Sequence, residues 1–171
     1  MSSDRSRVFA ALLLGAFLLL PCAGLFAQEP AILSSADLEK VVPSSFYFEG
    51  QLGPTQMRNG AAVRFAEKHH LVAALVDTSG YASSIRTKYE GFLITDKPVK
   101  IGTYELGTGA YGFGFTDDLK MNIFDVGGKQ LHSITAAKDQ SLQSPRPLAF
   151  IKSGNVIRLY RGRTYVAVSL K

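Results

Sequence analysis

The sequence predicts an all-β protein, an antiparallel β-barrel or sandwich of about eight to twelve short hairpin-connected strands with one short N-terminal helix. Three observations carry this. From Phe46 onward, short runs rich in aromatic and β-branched residues follow one another. Glycine, asparagine, aspartate or proline interrupts them roughly every 8 to 12 residues. Several of the interruptions, Asn59-Gly60, Gly127-Gly128, Ser153-Gly154-Asn155 and Arg161-Gly162-Arg163, have the chemistry of tight turns, so sequence neighbours should pair antiparallel.

The N-terminus reads differently. MSSDRSR carries Arg5 and Arg7, and VFAALLLGAFLLL (8–20) follows without a charge. This is the pattern of a secretory signal peptide, and the run is shorter than the roughly 20 residues a membrane-spanning helix needs. Pro21, Cys22 and Gly24 suit a processing region, with cleavage expected after Ala27. A lipid anchor on Cys22 is the competing reading, but Pro21 stands where a small residue is expected. The chain therefore divides into a signal peptide (1–27), a leader with a short helix (28–44) and a single all-β domain (45–171), and the expected product is periplasmic or extracellular.

The 171-residue chain has a formal charge of +5, and removing Arg5, Arg7 and Asp4 leaves +4. Cys22 is the sole cysteine, so the exported chain would have no disulfide, no thiolate nucleophile and no cysteine metal ligand. Lys152, Arg158, Arg161, Arg163 and Lys171 gather near the C-terminus, either as a solvated strand face and its turns or as a site for an anionic partner such as a polysaccharide, phosphate or lipid headgroup. Nucleic acid is not expected, because no recognisable binding motif is present.

Taken in order, SSADLEKVVP offers Ser34 and Asp37 at capping-box spacing, Leu38 and Val41 on one face, and a stop at Pro43, hence the helix. The expected strands are SFYFEGQL, TQMR, AAVRFA, LVAALV, IRTKYEGFLIT, VKIGTYEL, AYGFGFT, KMNIFD, QLHSITA, LAFIK, VIRLY and TYVAVSL. Residues 61–76 also fit one face of an alanine-rich helix. The Asn-Gly before and the Thr-Ser-Gly after favour two strands turning at 67–70. SLQSPRP (141–147) is expected to cross an end of the barrel or sandwich. An outer-membrane barrel is disfavoured, because its strands would need about 9 to 11 residues with sustained alternation.

GTGAYGFG (107–114) contains G-x-G-x-x-G, with Asp125 beyond it. A dinucleotide fingerprint requires a helix after the glycines. Here Tyr111, Phe113 and Phe115 alternate with Gly112, Gly114 and Thr116, which is strand period, and each interior glycine would cost a helix about 1 kcal/mol. A kinase glycine loop joins two strands, but neither H-R-D nor D-F-G follows. No cofactor is expected. The stretch reads as a turn entering a strand with aromatic residues on one face and bare backbone on the other, open to close approach by a second backbone, a side chain or a ligand.

Catalytic signals are weak. His69, His70 and His132 lack zinc-site spacing, and no serine stands in a nucleophile elbow. Asp117 and Asp118 share a turn. Glu49, Glu90 and Glu105 lie on expected strands and could face inward together, the arrangement an enzyme would need. No catalytic or metal residues are assigned, and the enzyme reading, a hydrolase or isomerase on a β scaffold, ranks last. Aromatics are the remaining resource. Phe46 and Phe48 share one strand face, Tyr111, Phe113 and Phe115 share another, and with Gly112 and Gly114 they are the candidate lining of a pocket for a small apolar ligand.

The stretches YEGFLITDKPVKIGTYELGTGAYGFGF, MNIFDVGG, SPRPL and IRLYRGRTYV resemble a group of small secreted bacterial all-β proteins with no assigned function. The resemblance is taken to cover Ser45 to Lys171. The resemblance implies an exported β-domain and carries no site residues. Lipocalins are an analogy of architecture alone, since the chain has no tryptophan for their G-x-W signature. The expected function is a non-enzymatic binding module for a small apolar ligand or a cell-envelope component. The alternative is a structural or protein-interaction domain using a strand edge or the basic C-terminal hairpin. Oligomeric state is left open.

Overall fold

A computed structural model describes residues 29–66 and 69–171, so the expected signal peptide lies outside the described residues. In chain order the elements are β1 (Ala31–Ile32), α1 (Ser35–Val41), β2 (Ser45–Phe48), β3 (Gln51–Ala66), β4 (His69–Val76), α2 (Ser83–Arg86), β5 (Gly91–Thr95), β6 (Val99–Ile101), β7 (Tyr104–Leu106), β8 (Gly109–Thr116), β9 (Lys120–Phe124), β10 (Gln130–Thr135), β11 (Ala137–Lys138), β12 (Arg146–Ser153), β13 (Val156–Gly162) and β14 (Thr164–Leu170). No helix among the described residues is long and apolar enough to cross a membrane.

The strands form two antiparallel sheets packed as a sandwich, not a closed barrel. The first runs β1-β3-β4-β5-β8-β9-β10 with β2 paired to β3, and the second runs β12-β13-β14-β6-β7 with β11 paired to β14. Strand alternation sorts the core. Ala61, Val63, Leu71, Ala73, Leu93, Phe113 and Ile123 of the first sheet meet Ile101, Leu148, Phe150, Leu159 and Val168 of the second. Their neighbours Ala62, Val72, Ala74, Phe92 and Phe124 face the other way and are buried under β2, Val42, Tyr81 and Tyr89. The first sheet is thus covered on both faces. This accounts for LVAALV as an unbroken apolar run, since a strand buried on both sides has no polar face to alternate with.

The two flanks of the sandwich differ. On one, β10 leads almost without interruption into β11, so the chain steps from the first sheet to the second, and the rings of Tyr104 and His132 stack at 4.2 Å between the facing edges. On the other flank β12, the edge of the second sheet, lies over β1 and β3 without backbone pairing to either. That flank is where the sandwich can be entered.

Several expectations are corrected. Fourteen strands are present among the described residues, because VKIGTYEL divides at Gly102, the two-residue β1 and β11 are added, and two expected strands fuse into one. Asn59-Gly60 is not a hairpin turn. TQMR and AAVRFA are one strand, β3, with a bulge: β3 advances from Thr55 to Gly60 while β4 moves only from Val76 to Ala74. The hairpin turn is Glu49-Gly50, with φ of 49° and 83°, inside SFYFEGQL. IRTKYE is not strand but α2 and a connection, so only GFLIT pairs, as β5. Residues 61–76 are two strands, with Ala66 opposite His69. The helix forms where expected, and the Ser34 hydroxyl donates to the Asp37 carboxylate at 2.8 Å. The 141–147 segment passes the β13–β14 turn, where Arg163 donates to the Leu142 carbonyl, and crosses an end of the sandwich.

Candidate ligand-binding cleft

The residues expected to line a pocket are divided by the first sheet. Phe113 is buried between the two sheets, with Tyr111 and Phe115 packed beside it. Phe46 and Phe48 lie on the opposite face, Phe46 stacked on Phe92 at 4.5 Å and Phe48 on Tyr89 at 3.9 Å. The bare faces of Gly112 and Gly114 are filled from within the protein. A β-carbon on Gly112 would overlap the Phe48 ring, and one on Gly114 would overlap the Lys88 carbonyl. GTGAYGFG is therefore a packing device, and none of these seven residues borders the cleft described next.

That cleft, about 390 Å³, opens on the flank where β12 faces β1, α1 and β3. Its floor is the buried trio Ala61, Leu148 and Phe150, which also belongs to the inter-sheet core. Leu33, Leu38 and Met57 form apolar walls, and the exposed Glu39, Arg58 and Arg146 stand at its rim. Local sequence explains each wall. Leu33 is tied down by its N–H to the Ala62 carbonyl at 2.9 Å, which sets α1 against β3. The β3 bulge brings Met57 and Arg58 to the cleft, and Gln56 holds it by donating to the Val76 carbonyl at 3.1 Å while accepting from Asn59 at 2.7 Å. In β12, Leu148 and Phe150 alternate into the core.

The exposed edge of β12 is poorly suited to pairing with another strand. Pro147 has no N–H to offer, and a bulge displaces the register between Arg146 and Ala149. At the far end, Lys152 is held by Glu29 at 2.7 Å, which keeps the Glu29 carboxyl below its usual range through that hydrogen bond and the lysine charge.

The C-terminal cations that could have formed an anion site are individually engaged. Besides Lys152, Arg161 pairs with Glu90 at 2.9 Å, Lys171 binds Glu105 at 2.6 Å, and Arg163 donates to a carbonyl. Arg158 lies over the Tyr165 ring at 4.4 Å and donates to the Tyr160 hydroxyl at 3.3 Å. Arg58 and Arg146 differ, since neither makes an ion pair or side-chain hydrogen bond among the described residues.

The carboxylates do not converge as an acid–base pair. Glu49 meets Lys88 at 3.3 Å, Glu90 meets Arg161, and Glu105 meets Lys171, which by hydrogen bond and charge holds the Glu105 carboxyl low. His69 and His70 open β4 with their Nδ1 atoms 3.8 and 3.7 Å from Asp96, and His132 is the stacking partner of Tyr104. No cluster of three or more metal-ligating side chains is found among the described residues. Tyr89 is fully buried, and burial pushes its hydroxyl far above the ordinary tyrosine range, with no hydrogen-bond partner. It sits beneath β2, away from the cleft.

The cleft has no sequence signature. Its lining comes from residues 32–39, 57–61 and 146–150, and of these the sequence offers only the expected strand LAFIK and the helix face carrying Leu38. Compared with family models, with curated proteins and with solved structures, the chain matches none.

Proposed function

We propose that this protein is an exported, non-enzymatic binding module that holds a small apolar ligand or part of a cell-envelope component in the cleft between β12 and the α1–β3 wall. The observation that carries the reading is the asymmetry of the sandwich: one flank is closed by the β10–β11 step and the Tyr104–His132 stack, whereas the other leaves buried core residues lining a cavity of about 390 Å³. That volume lies at the lower end of the range for small-molecule sites, roughly 300–1,000 Å³. The apolar floor supplies affinity, and the few polar groups at the rim supply orientation. Export rests on the N-terminal sequence, with processing at Ala27 and action in the periplasm or outside the cell.

One observation favours a protein-interaction reading instead. Tyr47 and Leu52 are cross-strand partners on the β2–β3 ribbon and are 55% and 62% exposed, an apolar pair with no cover. Native mass spectrometry of the protein purified from its own host distinguishes the two readings. A bound small molecule supports the cleft. A stoichiometric protein partner supports the ribbon, and the bare chain in repeated preparations counts against both.

A further inference from the structure

We infer that the cleft takes a single-chain amphiphile with an anionic head, of the long-chain carboxylate class, its head held by Arg58 and Arg146. This rests on the proposed role of the cleft and adds the chemistry of its occupant. Arg58 comes from the β3 bulge and Arg146 from the start of β12, yet both border one cavity. The cations gathered near the C-terminus each have an acidic, carbonyl or aromatic partner, while these two have none among the described residues. The single carboxylate at the rim is Glu39 of α1, so the rim carries an excess of one positive charge.

A guanidinium offers a planar fork of donors that matches a carboxylate, and a charge-assisted bond of this kind is stronger than a neutral one. Below the rim the cavity is apolar, walled by Leu33, Leu38 and Met57 over Leu148 and Phe150. The volume suits one alkyl chain better than two. An extended peptide added to β12 is the rival occupant, and Pro147 together with the bulge disfavours it.

Isothermal titration of the exported protein with decanoate and with decanol tests the assignment. Decanoate is expected to bind roughly tenfold or more tighter than decanol, the scale of a charge-assisted hydrogen bond. Replacing both arginines (Arg58→Gln with Arg146→Gln) should cost decanoate roughly tenfold or more in affinity and cost decanol much less, so that the preference for the acid is lost. Glu39→Gln removes the repelling carboxylate from an exposed helix position and should tighten decanoate binding severalfold, a gain that misfolding cannot imitate. Competition by phosphatidylglycerol vesicles but not phosphatidylcholine vesicles would overturn the single-chain carboxylate in favour of a diacyl anionic lipid; no competition by either supports the free acid. Equal affinity for decanoate and decanol overturns the head-group assignment while sparing the binding cleft, and absence of binding by either overturns both.

Discussion

The ring of Phe48 occupies the space that a β-carbon on Gly112 would need. Phe48 is fully buried, stacked on Tyr89 and edge-on to Phe124 at 6.1 Å, so the ring has no room to retreat. A phosphate-loop pattern in the sequence is thus the imprint of an aromatic side chain folded back over the first sheet. Gly112→Ala should destabilise the fold by about 1–3 kcal/mol, as overpacking does. Denaturant titration should show a lower midpoint at unchanged slope, and Phe48→Leu placed in the Gly112→Ala background should recover part of the loss.

Glu90 links the two sheets. Its Oε1 accepts from Arg161 Nε at 3.1 Å and Nη2 at 2.9 Å, and its Oε2 accepts from the Phe115 N–H at 3.0 Å. Both side chains are partly exposed, which limits the worth of the pair. A double-mutant cycle with Glu90→Gln and Arg161→Gln should give a coupling of about 1 kcal/mol. A coupling near zero would mean that this ion pair adds nothing to the packing between the sheets.

Asp139 lies between Ser141 and Tyr160, whose hydroxyls donate to it at 2.6 and 2.8 Å, with Arg158 beyond. The Ser141 bond first, and then Tyr160, hold its carboxyl below the usual aspartate range. A carboxyl depressed by folding contributes stability that is present above the unfolded-state value and is lost as pH falls through the folded one. Asp139→Asn should therefore be less stable than the parent at neutral pH. The difference should narrow as pH falls below about 4, where the carboxyl of the unfolded chain begins to protonate ahead of the folded one. Parallel stability curves from pH 6 to 2 would contradict this.

Most of the fold was legible because strands in this chain are built from aromatic and β-branched runs, and in β2 their alternation survives in the burial pattern, Phe46 and Phe48 buried and Tyr47 exposed. The turns were less legible. Asn59-Gly60 has the composition of a hairpin turn but adopts no positive φ, and the bulge holds it through Gln56 and Asn59. The true turn sets a glutamate at positive φ, an unfavourable residue choice stabilised by the Glu49 N–H to the Val126 carbonyl at 2.8 Å and by Lys88, contacts that local sequence cannot announce. The cleft was hidden for a related reason: its lining joins residues 32–39, 57–61 and 146–150, which meet only because β12 lies over β1 and β3 without backbone pairing.

The claim that this cleft is the binding site is most directly tested by methionine methyl NMR. Met57 lines the cleft, whereas Met121 is fully buried in the inter-sheet core. With 13C-methyl methionine, titration of the protein with decanoate should move the Met57 resonance saturably and leave Met121 in place. Binding that leaves Met57 unmoved, or that shifts Met121 instead, would contradict the account.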